Sequence, residues 1–326
     1  MGSLWVKRRF LGRGSFGSVF LAQSAASLAY SKSPALVPFV ALKACLASRS
    51  WSLRLENDMF EELGSCNEIV KCFGSGISIE DGVEYFELVL EYAAGGTLEE
   101  LLRFRGGKMP ETEASYYTKM LLKGLSHVHT KGYVHCDMKP GNILVFPCKN
   151  PFGLVTYSLK LADFGSAKRA GETGFEFVDP SSGYKNRGTL LYSSPESVVF
   201  GEHEAPMDIW SLGCVVFHML TGKRSMWPNN FNVDGIVLGD MIANYQDCGL
   251  VLLDDLSSNA KDFLRRCLAR NTEERWTADE LLKHPFITQI SKVLPMSEAS
   301  QTRKMMGYQK IDPFSSSLVA PFVSVN

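Results

Sequence analysis

The sequence predicts an α+β fold of two lobes, a strand-rich front and a helix-rich back, with a cleft between them. Three observations carry this. Apolar stretches rich in β-branched and aromatic residues, bounded by glycine turns, dominate residues 4–92. Helix-period stretches dominate residues 93–287. At the junction, Gly95-Gly96 precedes Thr97-Leu98-Glu99-Glu100, a capping-box signature for a helix start. The chain has 326 residues, 45% hydrophobic and 21% charged, which is enough apolar material for a sizeable core. Ligands favour interfaces between lobes.

Leu4, Val6 and Phe10 open a strand-like stretch that turns through Gly12-Arg13-Gly14-Ser15-Phe16-Gly17 and resumes at Ser18-Val19-Phe20-Leu21-Ala22. Residues 24–38 are rich in Ser, Ala and Pro and read as an exposed connection. Phe39-Val40-Ala41-Leu42-Lys43-Ala44 is another strand. A helix is expected over 51–63, where Leu55, Met59, Phe60 and Leu63 form one stripe, and strands over 69–74 and 83–92. In the back half a long helix is expected over 111–130, with Met120, Leu121, Leu125 and Val128 as its apolar face. Further helices are expected over 206–222, 259–269 and 277–282, and a strand over 158–161. From residue 288 the chain is Ser- and Met-rich without periodicity, so residues 288–326 read as a C-terminal tail.

Charge and composition exclude several classes. Lys+Arg 34 against Asp+Glu 35 gives a net charge of -1, with no polybasic footprint for nucleic acid. The longest apolar stretch, Ile209 to Leu220, is broken by Ser211 and His218 and is too short to span a bilayer, so no membrane insertion is expected. Lys7-Arg8-Arg9 interrupts the start before any signal-peptide core can form, and Val6 misses the myristoylation pattern. Eight cysteines are scattered without a Cys-x-x-Cys pair, which suits free thiols and a cytoplasmic or nuclear location.

Gly12-x-Gly14-x-x-Gly17-x-Val19 lies between two strands. A triple-glycine pattern is weak alone, since a glycine hairpin explains it equally well. A dinucleotide site is excluded, because that needs a helix directly after the glycines. Two flanking strands suit a flap over phosphates, whose backbone N–H groups can approach oxygens. His135-Cys136-Asp137-Met138-Lys139-Pro140-Gly141-Asn142 is far more specific. Asp163-Phe164-Gly165 follows it after a strand, which makes Asp163 a candidate metal ligand. Ser194-Pro195-Glu196, Asp208-Ile209-Trp210-Ser211-Leu212-Gly213 and Arg275 complete an ordered series.

In that order these motifs resemble the eukaryotic protein kinases over roughly residues 4–287. The resemblance implies the two-lobed protein kinase fold: a small antiparallel-sheet lobe over 4–92 with one helix, and a larger helical lobe over 93–287. It implies ATP and Mg²⁺ as cofactors and a protein as substrate. Leu11, Gly12, Gly14 and Gly17 would cover the nucleotide, and Lys43 would hold its α- and β-phosphates. Glu56 is the best-matched partner of Lys43. Phe60 and Leu63 lie four and seven residues beyond it and face the core, whereas Glu61 and Glu62 would point elsewhere. The backbone of Glu91 and Ala93 would bond adenine, with Leu90 behind it and Val19, Ala41 and Leu144 around the ring. Those apolar residues are equally ordinary core. Asp137 would take the substrate hydroxyl proton, Lys139 would reach the transferred phosphoryl, and Thr189 would bridge the two. Asn142 and Asp163 would hold Mg²⁺. Glu196 and Arg275 resemble the buried pair that anchors the large lobe.

Departures from that pattern are informative. Cys136 stands where most such enzymes carry an Arg that pairs with a phosphate on the activation segment. A thiol cannot do so, and activity is therefore expected without that phosphate. Thr173, Ser181, Ser182 and Tyr184 become optional sites. A reactive thiol at Cys136 lacks any adjacent base in sequence. The segments 24–38 and 146–158 exceed the minimal pattern and read as solvent-facing loops, with a docking surface as the alternative. Lys139 follows the Ser/Thr-kinase pattern. Gly95-Gly96-Thr97-Leu98 and Glu68-Ile69-Val70-Lys71-Cys72-Phe73-Gly74 resemble the short plant MEKK-like mitogen-activated protein kinase kinase kinases. These act on a downstream kinase kinase. Thr97 and Gly141, at cleft positions where basophilic kinases carry acids, also point to a folded partner. A Ser/Thr kinase of another cascade and a pseudokinase scaffold are the alternatives, and the second must explain why Lys43, Asp137, Asn142 and Asp163 are all present.

Overall fold

The computed structural model describes residues 5–14, 17–25, 38–149, 155–172, 187–224, 226, 235–244 and 255–289. Five antiparallel strands make the front sheet: β1 (Trp5–Gly14), β2 (Gly17–Ser24), β3 (Val40–Leu46), β4 (Cys72–Glu80) and β5 (Val83–Glu91). Their order is β1-β2-β3-β5-β4. Asp81-Gly82 turns the β4–β5 hairpin in two residues, both at positive φ (50° and 80°), as that tight turn requires. β3 is central, and its register sets Lys43 beside Val19 on one side and Leu88 on the other. Helix α1 (Trp51–Leu63) packs on this sheet, burying Leu53, Glu56, Met59, Phe60 and Leu63 at helical spacing.

The strand expected over 69–74 is displaced. β4 starts at Cys72 and runs to Glu80, while Ile69 and Val70 turn inward to tie the lobes together. The Val70 N–H donates to Leu161 O at 2.9 Å, and the Leu161 N–H to Glu68 O at 2.8 Å. Gly74-Ser75-Gly76 has little strand propensity of its own and is held by its register with β5.

The back lobe opens with α2 (Leu98–Phe104), whose capping box closes as Thr97 Oγ1 accepts from the Glu100 N–H at 3.2 Å and the Thr97 N–H donates to Glu100 Oε2 at 2.9 Å. Helix α3 (Glu111–Thr130) follows, then β6 (Tyr133–Val134), β7 (Ile143–Lys149), β8 (Val155–Leu161) and β9 (Lys168–Arg169). β6 pairs with β9. β7 and β8 pair from Ile143↔Leu161 out to Lys149↔Val155. The loop expected over 146–158 is thus mostly a hairpin, and the expected strand 158–161 is only its inner end. Phe146, Val155, Thr156 and Tyr157 are the β-branched and aromatic residues that favour it. The tail 290–326, most of 24–38, and Thr173, Ser181, Ser182 and Tyr184 lie outside the described residues.

The lobe is completed by α4 (Pro195–Phe200), α5 (Ala205–Thr221), α6 (Gly235–Asn244), α7 (Ser258–Cys267), α8 (Ala278–Leu281) and α9 (Pro285–Thr288). α5 is buried continuously from Met207 to Leu220. At Gly213 it meets α7 so closely that a Cβ would lie 2.8 Å from Cys267 Cβ. Among the described residues no helix is long and apolar enough to cross a membrane. Glu196 on α4 grips Arg275 through two bonds of 2.6 and 3.0 Å, and Arg275 also donates to the Ala269 and Pro206 carbonyls. Removing one partner leaves the other charged and buried. Glu196→Ala is therefore expected to cost about 3–5 kcal/mol of stability, read as a lower urea midpoint; a shift under about 1 kcal/mol would place this pair among inert surface bridges.

Candidate active site

Three elements converge on one ammonium. Lys43 Nζ, sent inward by β3, donates to Glu56 Oε2 of α1 at 2.6 Å and to Asp163 Oδ1 of the segment after β8 at 2.8 Å. The Phe164 N–H donates to the other Glu56 oxygen at 3.2 Å. Burial opposes the charge of Lys43, but the two carboxylates more than offset it, and its pKa is raised. Burial pushes the Glu56 carboxyl up, with Lys43 pulling against it. Asp163 also suffers burial, yet the Lys43 ammonium holds its pKa below the ordinary carboxylate value. Glu61 and Glu62 point elsewhere: Glu61 accepts from Asn57, and Glu62 pairs with Arg169 at 2.6 Å and bonds Tyr133.

A second network surrounds Asp137. Its Oδ1 accepts from the Thr189 N–H at 3.0 Å and the Thr189 hydroxyl at 2.9 Å. Its Oδ2 accepts from Lys139 Nζ and Asn142 Nδ2, each at 2.8 Å. Lys139 Nζ also donates to Thr189 Oγ1 at 2.7 Å. Four donors thus fix the carboxylate's direction while the residue is only 9% exposed. Gly188 makes this possible, since a Cβ there would overlap the Cys136 carbonyl and sit 3.2 Å from Asp137 Oδ1.

The loop is held from beneath by Asp208, fully buried at the start of α5. It accepts the His135 N–H at 2.8 Å and the Cys136 N–H at 2.9 Å, and it bonds His129 Nε2 at 2.9 Å. Cys136 sits at φ 66°, a left-handed conformation that costs a non-glycine residue about 1–2 kcal/mol. Burial, and then Asp208, push its thiol well above the ordinary range, so it stays protonated and unreactive. Phe164 stacks between Phe60 of α1, 5.4 Å away, and His135, 4.8 Å away, and so carries the packing from the front helix to this loop.

Ala41 and Leu90 face each other across β3 and β5, while Leu11, Val19 and Leu144 are partly buried against the same core. β5 ends at Glu91, whose N–H is spent on Lys71 O at 2.9 Å; the Ala93 carbonyl accepts from Gly96 N–H at 3.1 Å. Among the described residues, a Cβ at Gly12 would meet nothing within 4 Å and one at Gly14 only Gly17 O at 3.9 Å. Gly17 differs. A Cβ there would lie 2.6 Å from Ala44 O, so packing on β3 alone demands glycine.

For a metal, the donors are sparse but well chosen. Asn142 spends both its Nδ2 bonds on Asp137, which leaves its Oδ1, and Lys43 takes only Oδ1 of Asp163. Among the described residues no cluster of three His, Cys, Asp or Glu could hold a metal unaided. Two oxygens are what a Mg²⁺ ion completed by nucleotide phosphates and water asks for. Asp208 and Gly188 carry site geometry that the motifs alone did not assign. An acid opening an apolar helix was the available signal for the first, and a glycine before Thr189 for the second.

A two-lobed fold with a paired lysine, a braced Asp-Lys-Thr set and sparse metal donors defines a phosphotransferase. The sequence matches the family model described as protein kinase domain over residues 5–287, and the chain belongs to that family. It is a protein Ser/Thr kinase, using ATP and a divalent metal on a protein substrate. It is 34% identical over 291 residues to mitogen-activated protein kinase kinase kinase 20 of Arabidopsis thaliana, covering 87% of this chain and 78% of that protein. It is also 34% identical to mitogen-activated protein kinase kinase kinase 17 of Arabidopsis thaliana, over 90% of this chain and 72% of that one. Human mitogen-activated protein kinase kinase kinase 19 is 33% identical over 87% of this chain but only 20% of its own length. Gly188→Ala is expected to lower kcat about a hundredfold by displacing Asp137, with ATP affinity little changed; steady-state kinetics beside an ATP-binding assay would expose a mistaken assignment through an unchanged kcat.

Proposed function

We propose that the chain is a mitogen-activated protein kinase kinase kinase that phosphorylates Ser or Thr on the activation segment of a downstream kinase kinase. The observation that carries this is the closed network of Asp137, Lys139, Asn142 and Thr189 in a chain similar over most of its length to two kinases named for that cascade level.

Val19, Ala41 and Leu144 would hold the adenine ring, with Leu11 at the mouth and Leu90 behind. The Glu91 carbonyl and the Ala93 N–H would bond its edge. Gly12, Gly14 and Gly17 would cover the phosphates, and Lys43, aimed by Glu56, would hold the α- and β-groups. Asn142 Oδ1 and the second Asp163 oxygen would hold Mg²⁺, which supplies positive charge against the phosphate oxygens. Asp137 receives the proton of the substrate hydroxyl as it attacks. Charge gathers on the equatorial oxygens of the moving phosphoryl, and Lys139, already beside Asp137, faces it there. Thr189 keeps the acid and the lysine in register. Phosphoryl transfer of this kind depends on positioning more than on covalent help, which suits a site whose polar groups are bonded to one another before substrate arrives.

Phosphate transfer from labelled ATP with Mg²⁺ to a catalytically inactive mitogen-activated protein kinase kinase checks this reading. Label on activation-segment Ser or Thr is expected, falling at least about a hundredfold in Asp137→Asn while ATP binding persists. Label on generic protein alone would discard the cascade level and keep the kinase.

A further inference from the structure

The segment that follows Asp163-Phe164-Gly165 is pinned to the back lobe by a carboxylate with no part in the machinery above. Glu204 stands at the cap position of α5, yet its side chain does not cap its own helix. It reaches instead to Gly171, whose N–H donates to both its oxygens at 3.0 and 3.1 Å, and to Lys168 Nζ at 2.7 Å. Lys168 is nearly buried, its side chain 7% exposed, while the Glu204 side chain is 44% exposed. Its ammonium also donates to Glu172 O at 3.0 Å, and the Ala170 N–H donates to Gly132 O at 2.8 Å. From the other side Arg187 donates to Ser166 O at 2.9 Å and to Ala167 O at 3.3 Å. Next to Glu204, His203 has its pKa pulled to about 4, first by burial and then by Arg187, so it is neutral near pH 7. The positive charge here therefore belongs to Lys168 and Arg187. Cys136, in the same neighbourhood, gives its weak donor to Val134 O at 3.6 Å. It offers nothing to a phosphate.

We infer that Glu204 is a positioning residue for phosphoryl transfer: its carboxylate supplies, from within the chain, the anion that fixes residues 166–172 against the back lobe. Turnover then needs no phosphate on the segment that follows. This rests on the kinase reading above and extends it to regulation.

The test uses the full chain stripped of phosphate, verified by mass spectrometry, as wild type, Glu204→Gln, Lys168→Met and the double variant. The wild type is expected to turn over protein substrate in this state. Glu204→Gln should lower kcat at least about tenfold and leave KM for ATP within about twofold, which separates positioning from nucleotide binding. Amide exchange over 166–172 should quicken about tenfold or more in the same variant. The double variant should be no worse than either single one, because all three remove one pair. A phosphate-free wild type that is inactive, beside a phosphorylated form that is active, would overturn the inference. So would unchanged kcat and exchange in Glu204→Gln. If no form of the chain transfers phosphate, the kinase reading fails separately, and exchange over 166–172 alone decides whether Glu204 anchors the segment.

Discussion

The ammonium of Lys43, shared between Glu56 and Asp163, is the constraint on which the rest of the site depends. Burying Lys43 and Glu56 and partly burying Asp163 is costly, and the cost is offset only when all three elements that carry them are in position. β3 supplies the cation, α1 one anion and the segment after β8 the other. Rotating α1 away would leave the fully buried Glu56 carboxylate unpaired, and moving the lobes apart would strip Lys43 of its second carboxylate. The edge-on and tilted packing of Phe60, Phe164 and His135 runs beside this contact, so the electrostatic latch and the apolar packing report the same arrangement.

Asp208 does for the back lobe what Lys43 does for the cleft. One buried carboxylate takes two consecutive backbone N–H groups and holds Cys136 in a left-handed turn. That turn aims Asp137 at Thr189 and Lys139. Gly188 completes the arrangement from the opposite strand of chain, where any side chain would push the loop away. Preorganisation of this kind is bought by backbone strain and buried polar bonds, and it is spent on holding four donors around one acid.

Sequence periodicity placed helices over 51–63 and 111–130, though the first buries Leu53 where Leu55 was expected and Met120 of the second is only partly buried. The same stripe pointed to Glu56 rather than Glu61 or Glu62. It failed where local pattern and pairing disagree. Ile69 and Val70 are strand-like residues used to seal the lobes, whereas Gly74-Ser75-Gly76 is an unpromising stretch made into strand by β5. The extended β7–β8 hairpin hid behind Pro147 and Lys149, which read as loop until their partners are known. Motif spacing identified which residues meet. It marked Asp208 without giving its role, and gave no role to Gly188 or Glu204, because those roles exist only as contacts between segments distant in sequence. Gly17 gave the opposite lesson, since a glycine that looked reserved for phosphate is also required by the strand behind it.

The most direct measurement of the central claim is turnover by Glu56→Gln, which keeps the shape of the side chain and removes its charge. The account predicts kcat reduced at least about tenfold, with the urea midpoint little lower, because Lys43 keeps Asp163 but loses the partner that aims it. Turnover equal to that of the wild type would contradict it, and would mean that the buried pair is a packing feature on which phosphoryl transfer does not depend.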